Sequence, residues 1–304
     1  MIFSGDIAED IFNELLNRIL VDVKKLKLAE LIKKPITVGP NTSLLKTREI
    51  LLENKIKRVI IVDKRKPIGV ITEKDIAKKI YELGTKPIKS VKAKEFNPRR
   101  LFTLSKDNSV QECAKMIKKH RISLVIILNQ DKTLRGIVTK TDLVAVFLTK
   151  ESSSIKVSKV MKREVITATP SDPILHVESL LIRYGISRVV IKRNQIPVGI
   201  ITFRDFVPAK IPKWIAESAD PKEVQEYKFK KGLEERHSNQ MSYLFPFHST
   251  DIMTPNPITI DENEDVKQAI LLMIKNNISG LPVVKKSKLV GIITKADIVN
   301  ILAE

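Results

Sequence analysis

A seven-residue phrase occurs four times in this chain and constrains the fold more than any other feature of the sequence. It begins with glycine, continues with two aliphatic residues and a threonine, and ends with an aspartate three residues after that threonine. The four copies span residues 69–75, 136–142, 199–205 and 291–297. Another threonine lies 32 or 33 residues upstream of each glycine. The chain is therefore a fourfold internal repeat, and its domains have to be assigned from that repeat.

Each repeat unit has the pattern strand, helix, strand, strand, helix. In the fourth unit a β-rich run at 257–260 precedes apolar residues spaced i, i+3, i+4 and i+7 from Val266, as on one face of a helix. In the first unit two β-branched runs, 59–62 and 68–71, flank the polar tip 63–66, which predicts a hairpin. The phrase then opens a second helix. The sequence thus predicts an α+β fold of four β-α-β-β-α units in which helices cover small sheets.

The repeated frame resembles the CBS domain (cystathionine β-synthase domain), whose last strand and helix carry glycine, two aliphatics, Thr or Ser, two variable residues and Asp. The resemblance covers residues 25–210 and 250–303. It implies four CBS repeats arranged as two pseudo-twofold paired modules, 25–150 and 151–304, each with up to two ligand clefts. Residues 1–24 are expected to form a short amphipathic helix that caps a module or joins two chains.

One interval breaks the repeat. Successive phrase aspartates are 67, 63 and 92 residues apart, so the second module contains an insertion, 206–250. It carries several prolines, a charged run and an aromatic group ending at Phe247, with a helix predicted over 221–235. Two interpretations stay open: a linker that docks through its aromatic residues, or a partner-binding or lid element.

The phrase has the chemistry that a nucleotide requires. An aspartate can accept hydrogen bonds from both ribose hydroxyls, and a threonine at a helix N-terminus favours a phosphate. Glycine lets the backbone approach a ligand closely. However, Thr-x-x-Asp is also close to a capping box, so helix initiation alone could explain the pair. The recurrent first-strand threonine favours a ligand cleft, because capping does not require it.

The CBS resemblance implies that the clefts bind AMP, ADP, ATP or a related adenosine ligand, with no required cofactor. The ribose role falls on Asp75, Asp142, Asp205 and Asp297. The phosphate role falls on Thr72, Thr139, Thr202 and Thr294, to which neighbouring positive charge adds Arg204 and Lys295. The adenine side is assigned to Thr37, Thr103, Thr167 and Thr259 and to strand-two positions Lys57, Arg58, Ser123, Ser187, Arg188, Ser279 and Gly280. Since Glu73 brings negative charge beside Thr72, the second module is expected to bind more tightly.

The sequence gives no indication of an enzyme. The four histidines lack the spacing of metal ligands, and no glycine-rich phosphate loop is present. Cys113 lies on an apolar helical stripe, which favours a buried core thiol over a nucleophile. We therefore expect a non-catalytic regulator without a metal site, which acts on a protein partner and forms a homodimer.

Charge supports a second hypothesis, a nucleic-acid-associated protein. The net charge is +19 over the whole chain and +21 within residues 31–205. Such a basic region can bind RNA or DNA phosphates, although base-stacking aromatics are scarce there and a solvated lysine-rich surface explains it equally well. The densest patch comprises Lys86, Lys89, Lys92, Lys94, Arg99 and Arg100. No apolar run is long enough to span a membrane, and a cytoplasmic location is expected.

Overall fold

The computed structural model describes residues 27–82, 90–96, 101–149, 155–206 and 247–303, and four copies of the predicted unit follow one another within them. The expected helix within 1–24 and the helix predicted over 221–235 lie outside the described residues, as does most of the insertion.

The strands and helices of the four repeats are as follows. Repeat 1 contains β1 (Thr37–Val38), α1 (Leu44–Glu53), β2 (Arg58–Asp63), β3 (Lys66–Thr72) and α2 (Glu73–Glu82). Repeat 2 contains β4 (Thr103–Ser105), α3 (Val110–His120), β5 (Leu124–Leu128), β6 (Leu134–Thr139) and α4 (Lys140–Thr149). Repeat 3 contains α5 (Val157–Val160), β7 (Thr167–Ala168), α6 (Ile174–Arg183), β8 (Arg188–Arg193), β9 (Ile196–Thr202) and a 3-10 turn (Phe203–Phe206). Repeat 4 contains α7 (Ser249–Ile252), β10 (Thr254–Pro255), β11 (Ile260–Asp261), α8 (Val266–Lys275), β12 (Gly280–Lys285), β13 (Lys288–Thr294) and α9 (Lys295–Leu302).

Each repeat builds a three-stranded sheet in which the first strand is parallel to the second and the second is antiparallel to the third. The hairpin between β2 and β3 turns at Lys64 and Arg65, both with positive φ, 44° and 69°. Two left-handed residues match the twist of the flanking strands. The predicted hairpin is confirmed, and equivalent turns follow β8 and β12.

The two faces of each sheet have different neighbours. In repeat 1, Val59 and Ile61 face the repeat's own helices and join its core. Ile60 points the other way and forms a buried cluster with Leu124 and Ile126 of repeat 2. Alternation along the strand therefore places one face under the helices and the other against the partner sheet. Repeats 1 and 2 pair through their sheets, and β9 contacts β13 in the same way in the second pair.

Short segments that precede each repeat cross to its partner, and we call them crossing segments. Lys33, ahead of repeat 1, bridges Ile137 of repeat 2, and Lys92, ahead of repeat 2, bridges Ser43 of repeat 1. The second pair repeats this exchange: Lys162 bridges Ile292, and β10 pairs with β9. The sheets of repeats 2, 3 and 4 are thus extended by chain from the other member of the pair, whereas Lys92 bridges Ser43, the N-cap residue of α1.

The phrase glycines make room for these crossing segments. A Cβ on Gly291 would lie 2.6 Å from Met161 Sδ and 2.9 Å from the Lys162 carbonyl oxygen. A Cβ on Gly136 would collide with Ile32 and lie 2.7 Å from the Lys33 carbonyl oxygen. The expectation that glycine brings the backbone close to a ligand is therefore wrong at these two positions, where the close neighbour is protein backbone.

The two pairs meet through their helices. Helix α9 packs on α3 and α4, and one apolar core runs through repeats 2 and 4. Repeats 1 and 3 keep separate cores and meet where α2 contacts the turn Phe203–Phe206. The predicted α+β fold of four repeats in two paired modules is confirmed. The boundary between 150 and 151 stays a prediction.

Candidate ligand-binding site

Every phrase threonine is hydrogen-bonded to its phrase aspartate. In repeat 4 the Thr294 backbone N–H and hydroxyl both donate to Asp297 Oδ2, at 2.9 and 2.6 Å. The Thr72–Asp75, Thr139–Asp142 and Thr202–Asp205 pairs repeat this geometry, with all distances between 2.6 and 3.0 Å. The capping role is therefore present in all four repeats. It uses only one carboxylate oxygen, Oδ2, of each aspartate.

In the even-numbered repeats the second oxygen faces a lysine from a crossing segment. Lys33 Nζ lies 2.7 Å from Asp142 Oδ1, and the Asp142 side chain is 2% exposed. Lys162 Nζ lies 3.6 Å from Asp297 Oδ1, and this lysine is largely exposed. These oxygens are the ones that a ribose would have to reach. Sequence analysis did not assign either lysine to a site.

The strand register places predicted adenine-side residues next to the phrase threonines. Arg58 is the direct partner of Thr72 across the hairpin, as Arg188 is of Thr202. Thr37 pairs with Ile60, two residues beyond Arg58, so it lies on the same sheet face. Among the described residues, the first-strand threonine hydroxyls make no hydrogen bond, which leaves Thr37, Thr103, Thr167 and Thr259 able to contact a ligand.

Three backbone acceptors on the predicted adenine side are already bonded. The carbonyl oxygen of Lys57 accepts from Glu73 N–H at 3.1 Å. The equivalent oxygens of Ser123 and Ser279 accept from Lys140 and Lys295 N–H, at 3.2 and 3.1 Å. These bonds fix the start of each phrase helix against the second strand.

Five cations converge where the four repeats meet, and we call them the central cation cluster: Lys57, Arg58, Lys140, Arg188 and Lys295. Arg188 and Lys295 are buried, and the other three are partly buried. Lys57 Nζ and Arg188 Nη2 both donate to Ser279 Oγ, at 3.4 and 2.5 Å. Arg58 Nη1 donates to the Ser123 carbonyl oxygen at 2.9 Å. Since these bonds join different repeats, the cluster exists only in the assembled pair of modules.

Burial perturbs the charges of this cluster. Burial, together with repulsion from Lys57 and Arg188, lowers the pKa of Lys295 to about 7. Burial likewise lowers the pKa of Lys57 and of Lys140 to about 8. A depressed lysine pKa means that the folded protein solvates the ammonium group poorly. An anion bound among these groups would restore their charge.

Arg188 supplies a donor without an acceptor. Its guanidinium lies directly over Gly280, where a side chain could not fit. The residue is 9% exposed, and its buried Nη1 has no hydrogen-bond partner among the described residues. Burying such a group costs about 1–3 kcal/mol, and more when it is charged. Gly280, predicted on the adenine side, thus accommodates Arg188.

Arg204, predicted as a phosphate ligand, is engaged elsewhere. Its Nε lies 2.5 Å from Glu73 Oε1, across the contact between repeats 3 and 1. Beside this ion pair, Lys74 Nζ lies 5.2 Å from the centre of the Phe203 ring. Both interactions join the modules.

The other predicted residues are less informative. Cys113 is fully buried, and burial raises the pKa of its thiol to about 12, so the core-thiol interpretation is confirmed. In the basic patch, Lys86, Lys89, Arg99 and Arg100 lie outside the described residues. Lys92 and Lys94 belong to a crossing segment. Sequence analysis missed Lys140, although Lys140 and Lys295 occupy the same position directly after the phrase threonine.

A family model for the CBS domain matches residues 26–82, 93–149, 157–211 and 250–304. The chain belongs to the CBS-domain family. Its four CBS repeats coincide with the four units described above. In the described ranges, no helix of this CBS-domain chain is long and apolar enough to cross a membrane, and no group of His, Cys, Asp and Glu side chains could hold a metal ion.

Several known proteins match this chain over most of its length. The uncharacterised protein MJ1225 of Methanocaldococcus jannaschii is 24% identical over 296 residues, covering 92% of this chain and 99% of the relative. The crystal structure of MJ1225, described as a proposed archaeal homologue of g-AMPK, superposes with a TM-score of 0.78 at 23% identity, covering 91% of this chain and 100% of that one. A conserved protein from Pyrococcus horikoshii gives a TM-score of 0.57 at 16% identity, with coverages of 91% and 100%. MJ1404 of M. jannaschii is 28% identical over 281 residues, which cover 90% of this chain and 60% of that relative.

Proposed function

We propose that this protein is a non-catalytic regulator that binds adenine nucleotides, AMP, ADP or ATP, in the clefts of its paired CBS repeats. Membership of the CBS-domain family supports a regulatory, ligand-binding role. The observation that carries the nucleotide proposal is the central cation cluster, in which burial lowers the pKa of all five cations and Arg188 Nη1 has no acceptor among the described residues. Phosphate groups would supply the missing negative charge.

A nucleotide in this proposal extends from the cleft between the paired sheets to the central cation cluster. The first-strand threonine and the phrase aspartate flank the face between paired sheets, where ribose and base would lie. The phrase helices begin beside the cluster, and Lys140 and Lys295 are their first residues in repeats 2 and 4. Helix N-termini and adjacent cations together favour phosphate. In this proposal the base lies between the sheets and the phosphates point to the module contact.

Ligand binding at this position would act on the contact between modules. The cluster takes Arg58 and Lys57 from repeat 1, Lys140 from repeat 2, Arg188 from repeat 3 and Lys295 from repeat 4. A ligand that neutralises it changes the balance of forces between the two modules. We propose that this change is passed to a protein partner or to a second copy of the chain.

The decisive experiment compares two capping aspartates. Asp297→Ala removes a phrase aspartate, and Asp251→Ala removes the aspartate that accepts from His248 N–H at 2.7 Å at the start of α7, outside the phrase. Both variants should lose about 1 kcal/mol of unfolding free energy through the lost cap. Only Asp297→Ala should weaken adenine-nucleotide binding in calorimetry, by about 1.5–3 kcal/mol, the value of a charge-assisted hydrogen bond.

Asp205→Ala tests the other phrase aspartate of the second module and should behave like Asp297→Ala. If both phrase variants unfold earlier but bind AMP, ADP and ATP like the parent, these aspartates are caps alone. The ribose assignment would then be wrong. The nucleic-acid hypothesis stays a prediction, because most of its patch lies outside the described residues.

A further inference from the structure

Glu73 places a carboxylate inside the central cation cluster. Its position, directly after the phrase threonine, is occupied by Lys140, Phe203 and Lys295 in the other repeats. The Glu73 side chain is 12% exposed and pairs with Arg204. It also attracts Lys57 and Arg58, whose pKa values would be lower without it. A fixed negative charge therefore lies among cations on the side where repeats 1 and 3 meet.

The side where repeats 2 and 4 meet has the opposite character. There Lys140 and Lys295 replace Glu73 and Phe203, and Lys295 Nζ donates to Thr141 Oγ1 at 3.1 Å, a neutral acceptor. The nearby carboxylates of Asp142 and Asp297 each use one oxygen as a helix cap and face a crossing-segment lysine with the other. The unpartnered Nη1 of Arg188 adds to the uncompensated positive charge.

We infer that the Glu73 carboxylate is an internal anion that neutralises the repeat 1 and repeat 3 side of the cluster and confines ligand phosphates to the repeat 2 and repeat 4 side. This inference rests on the proposed function, because it concerns the phosphate end of the same site. Glu73 thus makes the four clefts unequal and limits the number of phosphate charges that the cluster accepts. Arg204 forms the ion pair that holds the Glu73 carboxylate in this position.

The test replaces Glu73 by an uncharged residue of the same shape. Glu73→Gln keeps the side-chain volume and a hydrogen bond to Arg204 but removes the negative charge. Affinity for inorganic tripolyphosphate and for ATP should rise about tenfold, whereas affinity for adenosine, which has no phosphate, should not change. Glu262→Gln is the matched control, since Glu262 also pairs with a single cation, Lys285, at 2.6 Å. It should leave all three affinities unchanged.

A second pair of variants tests the charge balance independently. Arg204→Gln leaves the Glu73 charge without its partner and should lower tripolyphosphate affinity about tenfold. Combining Arg204→Gln with Glu73→Gln should restore an affinity close to the parent's, because both charges are then absent. If the double variant binds as weakly as Arg204→Gln alone, Arg204 is itself a phosphate ligand and the inference is overturned.

The remaining outcomes are also decisive. Unchanged tripolyphosphate affinity in Glu73→Gln, or an equal rise for adenosine, contradicts the internal-anion role. A parent protein that binds tripolyphosphate but no adenine nucleotide refutes the proposed function, while the response of Glu73→Gln still decides the inference. If neither the parent nor Glu73→Gln binds tripolyphosphate, ATP or adenosine, both proposals are wrong.

Discussion

The two carboxylate oxygens of Asp142 and of Asp297 have separate environments. Oδ2 holds the N-terminus of the following helix, whereas Oδ1 of Asp142 and Asp297 faces a lysine. Helix capping and ribose binding are therefore compatible, because they would use different atoms of the same side chain. A ribose hydroxyl that reaches Asp142 has to share Oδ1 with Lys33.

At the scale of single residues, we expect Lys295 to take up a proton when a nucleotide binds. Its pKa is about 7 in the folded protein against an ordinary value of 10.5, so at pH 8 it is mostly neutral without ligand. A bound phosphate favours the charged form. Nucleotide binding at pH 8 should therefore take up protons, about one of them at Lys295. Calorimetry in buffers of different ionisation enthalpy measures this uptake, and Lys295→Met should lower it by about one proton.

The charges that face Lys295 also lower its pKa, so they affect stability in the same direction as burial does. Lys57, Arg188 and Arg58 repel its ammonium group, and Asp142 only partly offsets them. Between pH 7 and about 10 the unfolded chain binds more protons at this lysine than the folded one. Stability of the ligand-free protein should rise across that window, and the rise should be smaller in Lys295→Met. An exposed lysine such as Lys285 gives the control variant Lys285→Met. Equal pH profiles for the parent and Lys295→Met would contradict this account.

The sequence pointed to four members of the central cation cluster, all but Lys140, as site residues, but it did not indicate that they meet. Threonine and aspartate recur at fixed spacing, and the hydrogen bonds between them are local. Arg58 and Arg188 occupy the same position in repeats 1 and 3, but repeats 2 and 4 have Leu124 and Gly280 there, so the repeat pattern does not show which cations come together. Their burial depends on contacts between residues that are far apart in sequence, such as Arg188 and Ser279.

At the scale of elements, the crossing segments explain why the phrase begins with glycine. Gly291→Ala should push Met161 and the Lys162 backbone away from β13, because the new Cβ would lie 2.6 Å from the Met161 sulfur. Overpacking of this kind costs about 1–3 kcal/mol. Urea unfolding should show that loss. Gly39→Ala is the control, since its Cβ would lie 3.8 Å from Thr42 Oγ1, an ordinary contact, and its stability should be unchanged or slightly higher.

Equal stability for Gly291→Ala and the parent would mean that the crossing segment is loosely held. Sequence analysis predicted the order of strands and helices, because each has its own periodicity. It could not predict the crossing segments. Their pairing with the partner repeat is as short as the single bridge between Lys33 and Ile137, which leaves no periodic signal.

At the scale of the whole molecule, the two contacts between the modules differ in whether they share an apolar core. Repeats 2 and 4 share a continuous core that includes Leu143, whereas repeats 1 and 3 meet beside the Glu73–Arg204 pair. The sequence, through its family resemblance, predicted which repeats pair by their sheets. It did not predict which repeats meet by their helices, because an apolar helical face does not identify its partner.

Leu143→Ala should therefore lower the local stability of two repeats, 2 and 4. Deleting this fully buried side chain costs about 2–5 kcal/mol. Hydrogen exchange should show faster local opening in repeat 2 and also in α8 and α9 of repeat 4, which pack on α4. Leu51→Ala, in the separate core of repeat 1, should speed opening mainly within that repeat. Identical exchange maps for the two variants would contradict the shared core.

The reciprocal crossing segments have a consequence for how the protein is made. On the ribosome, repeat 1 emerges first, yet its apolar core is completed by Val91 and Ala93, and the segment at Lys33 cannot find Ile137 until about a hundred further residues have been synthesised. The smallest unit that can fold during translation is thus a pair of repeats. A nascent chain halted after the first repeat should remain unfolded at the ribosome exit, exposing apolar strands to chaperones.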